Sequence, residues 1–342
     1  MKNYLIITCL FICLLSYTSS CSTAIDNTVE RHSIEPTMVK TELMTSMPGE
    51  LLAFEDKLVW FDLNPDAFLH IENAKTGENI QEIGRLGGGP EDFTAPFISW
   101  FPNRKVLVTD CFAERAMILS LDSITQMKPL DIPFSKKSLQ CVGENLFVQS
   151  CTRKDYPFTF WVNDTGTPFG CYPLDNENVN NVEEVFQGIH VYNPHTGYLV
   201  QSFPELSQVT CYKLTENQFV EKWTKRRPGV DYQIDNDGIL RINNVQNPAP
   251  SSIALTKDYI ITIERDEQTE EVAVENHSKN RFLRSFSKAP QTLFVYNYDF
   301  QLLKILHTRI PMFRLAASGN NNIVYFIGVQ EEFCIAKYNL DE

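Results

Sequence analysis

The chain has 342 residues, of which 43% are hydrophobic and 21% charged, an ordinary globular balance that excludes wholesale disorder. With 15 glycines and 18 prolines it is neither collagen-like nor low-complexity. A net charge of −13, from 43 acids against 30 bases, argues against a nucleic-acid partner, because phosphate neutralisation needs a basic face.

The N-terminus reads as an export signal. Residues 1–4 (MKNY) are a short basic segment, and residues 5–15 (LIITCLFICLL) are an apolar run of signal-sequence length. That run is too short to span a bilayer, which needs roughly 20 apolar residues. Ser16, Thr18, Ser19 and Ser20 follow, and then Cys21. The order resembles the bacterial lipoprotein signal, although Thr18 stands where such signals carry an aliphatic residue. The resemblance implies cleavage after residue 20, lipidation of Cys21 and a membrane anchor in the cell envelope, on the periplasmic side or at the cell surface. The alternative is a soluble secreted protein cut nearby. Residues 22–32 are polar and read as a tether leading to a domain over 33–342.

Residues 37–44 (TMVKTELM) have strand character. Beyond them one pattern recurs six times. Its centre is a polar residue followed by a run of β-formers, at 57–63, 105–111, 145–151, 197–203, 258–264 and 322–328. A strand precedes each, at 49–54, 96–101, 138–143, 186–192, 251–256 and 313–318. Another follows each, at 68–73, 115–121, 158–164, 209–215, 292–298 and 333–339, three of them ending in the turn formers Asn or Asp. Five units have a fourth strand, at 79–84, 127–132, 169–175, 219–224 and 302–307. We denote the four strands a to d. A four-strand unit of about 54 residues repeated six times predicts an all-β, six-bladed β-propeller. The sixth unit lacks strand d, and the chain has a spare strand at 37–44. The two explain each other if the N-terminal strand closes the ring and covers the last open edge.

Because strands alternate direction, the a–b and c–d turns fall on one face of such a ring. The b–c turns and the d-to-a crossovers fall on the other. Three long or unusual connections all belong to this second face: 85–95, 225–250 and 265–291. Long loops on a rigid scaffold are where binding residues concentrate. The first offers Arg85, Gly87, Gly88, Gly89, Pro90 and Asp92, with Phe93 placed to plug between blades. It is no phosphate-binding loop, since no Lys-Ser/Thr follows and Pro90 and Pro96 bar a helix. The second offers Lys225, Arg226, Arg227 and Tyr232, and its Asp235-Asn236-Asp237-Gly238 reads as a hairpin turn. The third mixes charges and holds Phe282 and Phe286, spaced as on one face of a short lid helix.

The first loop, GRLGGGPEDF, looks like the G-x-x-G-x-G-P-G-E-F crossover of TolB-like six-bladed propeller lipoproteins of Bacteroidetes. Gly84, Gly87, Gly89, Pro90 and Phe93 match, while Glu91 replaces the usual Gly and Asp92 the usual Glu. The resemblance implies the propeller fold and the envelope address, and it lends no catalytic residues.

Catalytic signatures are thin. There is no HExxH for zinc and no G-x-S-x-G nucleophile elbow, and no residue set names a metal or cofactor. His190 lies in an inner strand, and Asp110 and Glu264 end two strands b; each reads first as a satisfied structural polar group. Apart from Cys21, the cysteines downstream of the signal are Cys111, Cys141, Cys151, Cys171, Cys211 and Cys334, most of them in apolar strands, where they read as small buried hydrophobes. The sequence therefore predicts a non-catalytic binding module, with a protein, peptide or glycan as partner. The second reading is an exported hydrolase or lyase with a divalent cation in the channel.

Overall fold

A computed structural model describes residues 29, 31–45, 47–64, 66–89, 92–110, 112–123, 127–136, 138–150, 155–174, 179–186, 188–265 and 289–342. Strands β1 (Arg31–Ser33) and β2 (Thr37–Lys40) precede the first full blade, which is β3 (Pro48–Ala53), β4 (Lys57–Asp62), β5 (Leu69–Asn73) and β6 (Asn79–Ile83). Blade two is β7 (Pro96–Phe101), β8 (Lys105–Asp110), β9 (Arg115–Ser120) and β10 (Lys128–Pro129). Blade three is β11 (Leu139–Gly143), β12 (Leu146–Ser150), β13 (Phe158–Val162) and β14 (Thr165–Phe169). A single-turn helix α1 (Val182–Val185) leads to blade four, β15 (Ile189–Asn193), β16 (Tyr198–Phe203), β17 (Gln208–Thr215) and β18 (Gln218–Arg226). A separate ribbon follows, β19 (Val230–Ile234) and β20 (Leu240–Val245). Blade five is β21 (Ser252–Leu255), β22 (Ile260–Ile263), β23 (Thr292–Tyr296) and β24 (Leu302–His307). Blade six is β25 (Met312–Ala316), β26 (Ile323–Val329) and β27 (Phe333–Asn339).

The molecule is a six-bladed β-propeller. Each blade is an antiparallel meander, and β2 supplies the missing fourth strand of blade six by pairing antiparallel with β27, Thr37 against Lys337 and Lys40 against Ile335. The pairing tapers after Lys40, but the Leu43 amide still donates to the Phe333 carbonyl at 2.7 Å. Because successive side chains of a strand point to opposite faces, every blade feeds two cores. Apolar clusters accordingly fill all six blade interfaces. Val106 and Val108 of blade two meet Val59 and Ile71 of blade one, for example, while Leu107 meets Leu139 and Cys141 of blade three. The interface that closes the ring joins Val39 and Leu43 to Leu58 and Trp60 of blade one and Tyr325 and Ile335 of blade six. Fully burying one such aliphatic or aromatic side chain contributes about 1.5–3 kcal/mol.

Three elements differ from the sequence expectation. Strand d of blade three lies at Thr165–Phe169, ahead of the expected 169–175, because Asn163 takes the left-handed conformation that a tight turn needs directly after β13. Strand d of blade two shrinks to Lys128–Pro129, since Pro129 removes a donor from the segment expected to pair. Finally, β1 adds a parallel fifth strand to blade five, Arg31 opposite Ile305, beginning inside the expected tether.

The turn after β5 shows how local chemistry supports closure. Asn73 Oδ1 accepts the Lys75 and Thr76 amides, and Gly77 closes the turn at φ +69°. Gly77 packs on β2, where an added methyl would overlap the Val39 carbonyl oxygen. Gly77→Ala combines left-handed strain with a backbone clash. It is expected to cost about 2–4 kcal/mol, read as a shift in urea midpoint without a change in slope.

Candidate functional site

The six inner strands surround a channel cavity of about 490 Å³, within the size range of small-molecule sites. At the end bearing the a–b turns, Asn193 narrows it. Its Nδ2 donates to the carbonyls of Thr256 in blade five, at 2.9 Å, and Gly319 in blade six, at 3.2 Å. Polar side chains concentrate in the other half, where the inner strands begin. Glu50 is the third residue of β3, Phe97 the second of β7, Gln140 the second of β11, His190 the second of β15 and Arg314 the third of β25, and all line the cavity. Phe97 keeps 44% of its surface exposed. The Ser99 hydroxyl and the Gln140 carbonyl oxygen are buried with no hydrogen-bond partner. Glu50 and Arg314 are the only charged side chains among the described lining residues apart from the titratable His190.

His190 stands edge-on to the Phe158 ring at 5.3 Å, and burial pushes its pKa down to about 4. The sign for stability follows. The unfolded imidazole takes up a proton below about pH 6.5, whereas the folded one stays neutral until about 4. Stability is therefore lost as pH falls from about 6.5 towards about 4, by at most about 1.4 kcal/mol per pH unit. His190→Gln is expected to flatten that part of the profile. Parallel urea titrations of both proteins between about pH 7 and pH 4.5 check this, and identical slopes would refute it.

The loop residues singled out by sequence do not converge on the channel. Arg85, Gly87, Gly88, Gly89 and Asp92 form a self-contained crossover. The Gly89 amide donates to Asp92 Oδ2 at 2.9 Å, and the Gly87 amide to the Phe93 carbonyl at 3.0 Å. Gly87 and Gly89 do not use positive φ; a Cβ at either would come within 2.7 Å of the Asp92 carboxylate, which would have to shift. Arg85 is exposed, 3.9 Å from Asp92. Phe93 is buried, meets Phe68 edge-on at 5.0 Å and lies under the Arg115 guanidinium, as a plug between blades one and two. Lys225 and Arg226 sit exposed on the outer strand β18, and Arg226 donates to Gln208. Arg227 turns inward to Glu264 at 2.6 Å. Tyr232 is exposed on the ribbon. Cys21, Pro90, Phe282 and Phe286 lie outside the described residues.

Asp110 is structural as well. Burial acts to raise its pKa, but the amides of Thr94, Ala113 and Phe112 more than offset this and hold the carboxyl below its ordinary value. The thiols of Cys141, Cys211 and Cys334 are free and buried, and burial pushes them up to about 12, 12 and 11. Sequence reasoning passed over Glu50 and Arg314. The available signal was a lone charge inside an otherwise apolar inner strand, in GELLAF and FRLAAS.

The ribbon β19–β20 stands outside the six blades on the face of the crossovers. Leu240 and Ile242 pack with Val182, Phe186, Phe203 and Leu206, and Asn181 exchanges two hydrogen bonds with the Leu240 backbone, at 2.9 and 3.0 Å. Tyr232 and Ile234 remain 42% and 40% exposed.

No family profile matches the sequence, and no curated protein resembles it significantly. Solved structures share its architecture. A member of the DUF4221 family from Bacteroides vulgatus superposes with a TM-score of 0.51 at 12% identity, covering 90% of this chain and 96% of that one. The β-propeller domain of Myceliophteria thermophila Cps50 (Swd1) matches with a TM-score of 0.42 at 10% identity, covering 88% of this chain and all of that domain. At 12% identity the likeness to the Bacteroides vulgatus protein is one of fold.

Proposed function

We propose that this chain is a TolB-like, envelope-anchored lipoprotein whose propeller is a non-catalytic binding module, held to the membrane through Cys21 and offering its crossover face to a protein, peptide or glycan. The observation that carries this reading is the ribbon. It contributes nothing to ring closure, yet it is tied down by buried contacts and presents Tyr232 and Ile234 to solvent. An ordered apolar projection on a rigid scaffold is the usual form of a docking feature. The address is supported by residues 1–21 and by the GRLGGGPEDF loop; among the described residues no helix is long and apolar enough to cross a membrane. A channel-bound divalent ion draws less support, since Glu50 is the only carboxylate among the described lining residues.

Two experiments test the reading. Cells fed an alkynyl fatty acid should label the wild-type chain and not Cys21→Ala, and an unlabelled wild type defeats the anchor. A photo-crosslinking amino acid at Tyr232 should capture a partner in intact cells, while one at the exposed Lys75 on the opposite face should not. Adducts from Lys75 alone, or from neither position, defeat the assignment of the binding face.

A further inference from the structure

Among the described lining residues the channel holds one carboxylate and one guanidinium, and neither is neutralised by an ion pair. Glu50 and Arg314 occupy the third positions of β3 and β25, neighbouring inner strands of blades one and six. Both therefore lie in the half of the channel that opens among the crossovers. Both are half-buried. Neither forms an ion pair among the described residues; Arg314 donates from Nη1 to the carbonyl of its neighbour Phe313, at 3.0 Å, and lies 5.9 Å from the centre of the Phe313 ring. Charges removed from bulk water without a counter-charge are costly, so the pair is held ready for something else.

The rest of the lining narrows what that is. No other described lining side chain carries a charge at neutral pH, because burial keeps His190 uncharged. The cavity is therefore neutral overall but dipolar. A simple anion on Arg314 would leave Glu50 without a counter-charge, and a simple cation on Glu50 would leave Arg314 without one. A neutral sugar could use the unpartnered Ser99 and Gln140 oxygens but would leave both charges unpaired. We propose that the channel binds a zwitterion of amino-acid or dipeptide size, with its carboxylate on Arg314, its ammonium on Glu50 and an apolar side chain against the exposed Phe97 ring. The carboxylate would gain the planar, multi-donor recognition that guanidinium provides. The inference rests on the binding-module reading and gives that module a small ligand in addition to its partner on the crossover face.

The test is calorimetry on the mature chain at neutral pH and low salt. The probes are glycyl-phenylalanine, its N-acetyl derivative, its C-terminal amide, and glucuronate as a carboxylated sugar. Glycyl-phenylalanine should bind, and removing either terminal charge should weaken it by about ten-fold or more. Glu50→Gln should weaken the parent by about ten-fold but leave the N-acetyl derivative unchanged, and Arg314→Gln should do the same with respect to the amide. Neither substitution breaks an ion pair among the described residues, and the probe series on the wild type alone decides the matter if a variant misfolds. Absence of binding at about 10 mM, capped probes that bind as well as the parent, or tighter binding of glucuronate would each overturn the zwitterion site. Loss of the Tyr232 adducts with dipeptide binding intact would instead overturn the crossover-face reading and leave this site standing.

Discussion

Replacing Lys40 by methionine is expected to lower the unfolding free energy by about 3–5 kcal/mol. Lys40 lies on β2, the strand that closes the ring, and its Nζ is 2.6 Å from Oε1 of Glu72 on β5. The Glu72 side chain is 1% exposed. The same oxygen accepts the Trp60 indole N–H at 3.0 Å, while the other carboxylate oxygen is buried without a partner. Methionine preserves the packing of the lysine stem but strands the carboxylate with a single donor. The loss should therefore come from the abandoned charge. Adding Glu72→Gln removes that charge and keeps an acceptor for Trp60, so the double variant should recover at least half of the loss. Urea unfolding of the two variants and the wild type decides it. A Lys40→Met cost within error of zero, or no recovery in the double variant, would show that closure rests on the apolar contacts of Val39 and Leu43 alone. The neighbouring polar groups belong to the same seam: His70 stacks on Trp60 at 4.0 Å between Asp62 and Glu82, and Thr45 bonds Asp62.

Arg227→Met should cost about 3 kcal/mol or more and should also loosen the ribbon. Glu264 is buried at the end of β22, where it accepts from Thr262 at 2.7 Å and from the Tyr296 hydroxyl at 3.0 Å as well as from Arg227. Burial, reinforced by the Glu264 charge, pushes the Tyr296 hydroxyl well above 10, so it remains a donor throughout the neutral range. Burial acts to lower the Arg227 pKa, but Glu264 and Tyr296 outweigh it and the guanidinium stays charged. Arg227 also donates to the Pro248 carbonyl at 2.9 Å. It thereby ties the segment entering β19 to the segment leaving β20. Hydrogen exchange should accelerate over 230–245 in the variant while the inner strands keep their protection. Uniform acceleration across all blades would mean that the ion pair supports the ring and not the ribbon.

The architecture was legible in the sequence because its determinants are local. The run of β-formers along 57–63 and its five counterparts, turn formers such as Asn73 and Gly77, and the DNDG turn between β19 and β20 each act within a few residues. The count of strands then left 37–44 only one place to go. The fifth strand on blade five was not legible, since Arg31, His32 and Ser33 are exposed and polar and carry no strand pattern. The roles of the basic trio were not legible either. Lys225, Arg226 and Arg227 look alike in sequence, yet only Arg227 reaches a buried acid, and that acid lies 37 positions further along the chain.

By itself, then, the sequence determined six four-stranded units, their alternation of faces and a closing strand, because periodicity and turn chemistry are short-range properties. The tertiary structure alone decided which polar residues are spent on the fold and which are left over. Glu72 and Glu264 are consumed by cations brought to them from distant segments, whereas Glu50 and Arg314 form no ion pair among the described residues. Whether a charge is paired is a matter of distance across the ring, and sequence spacing carries no such distance.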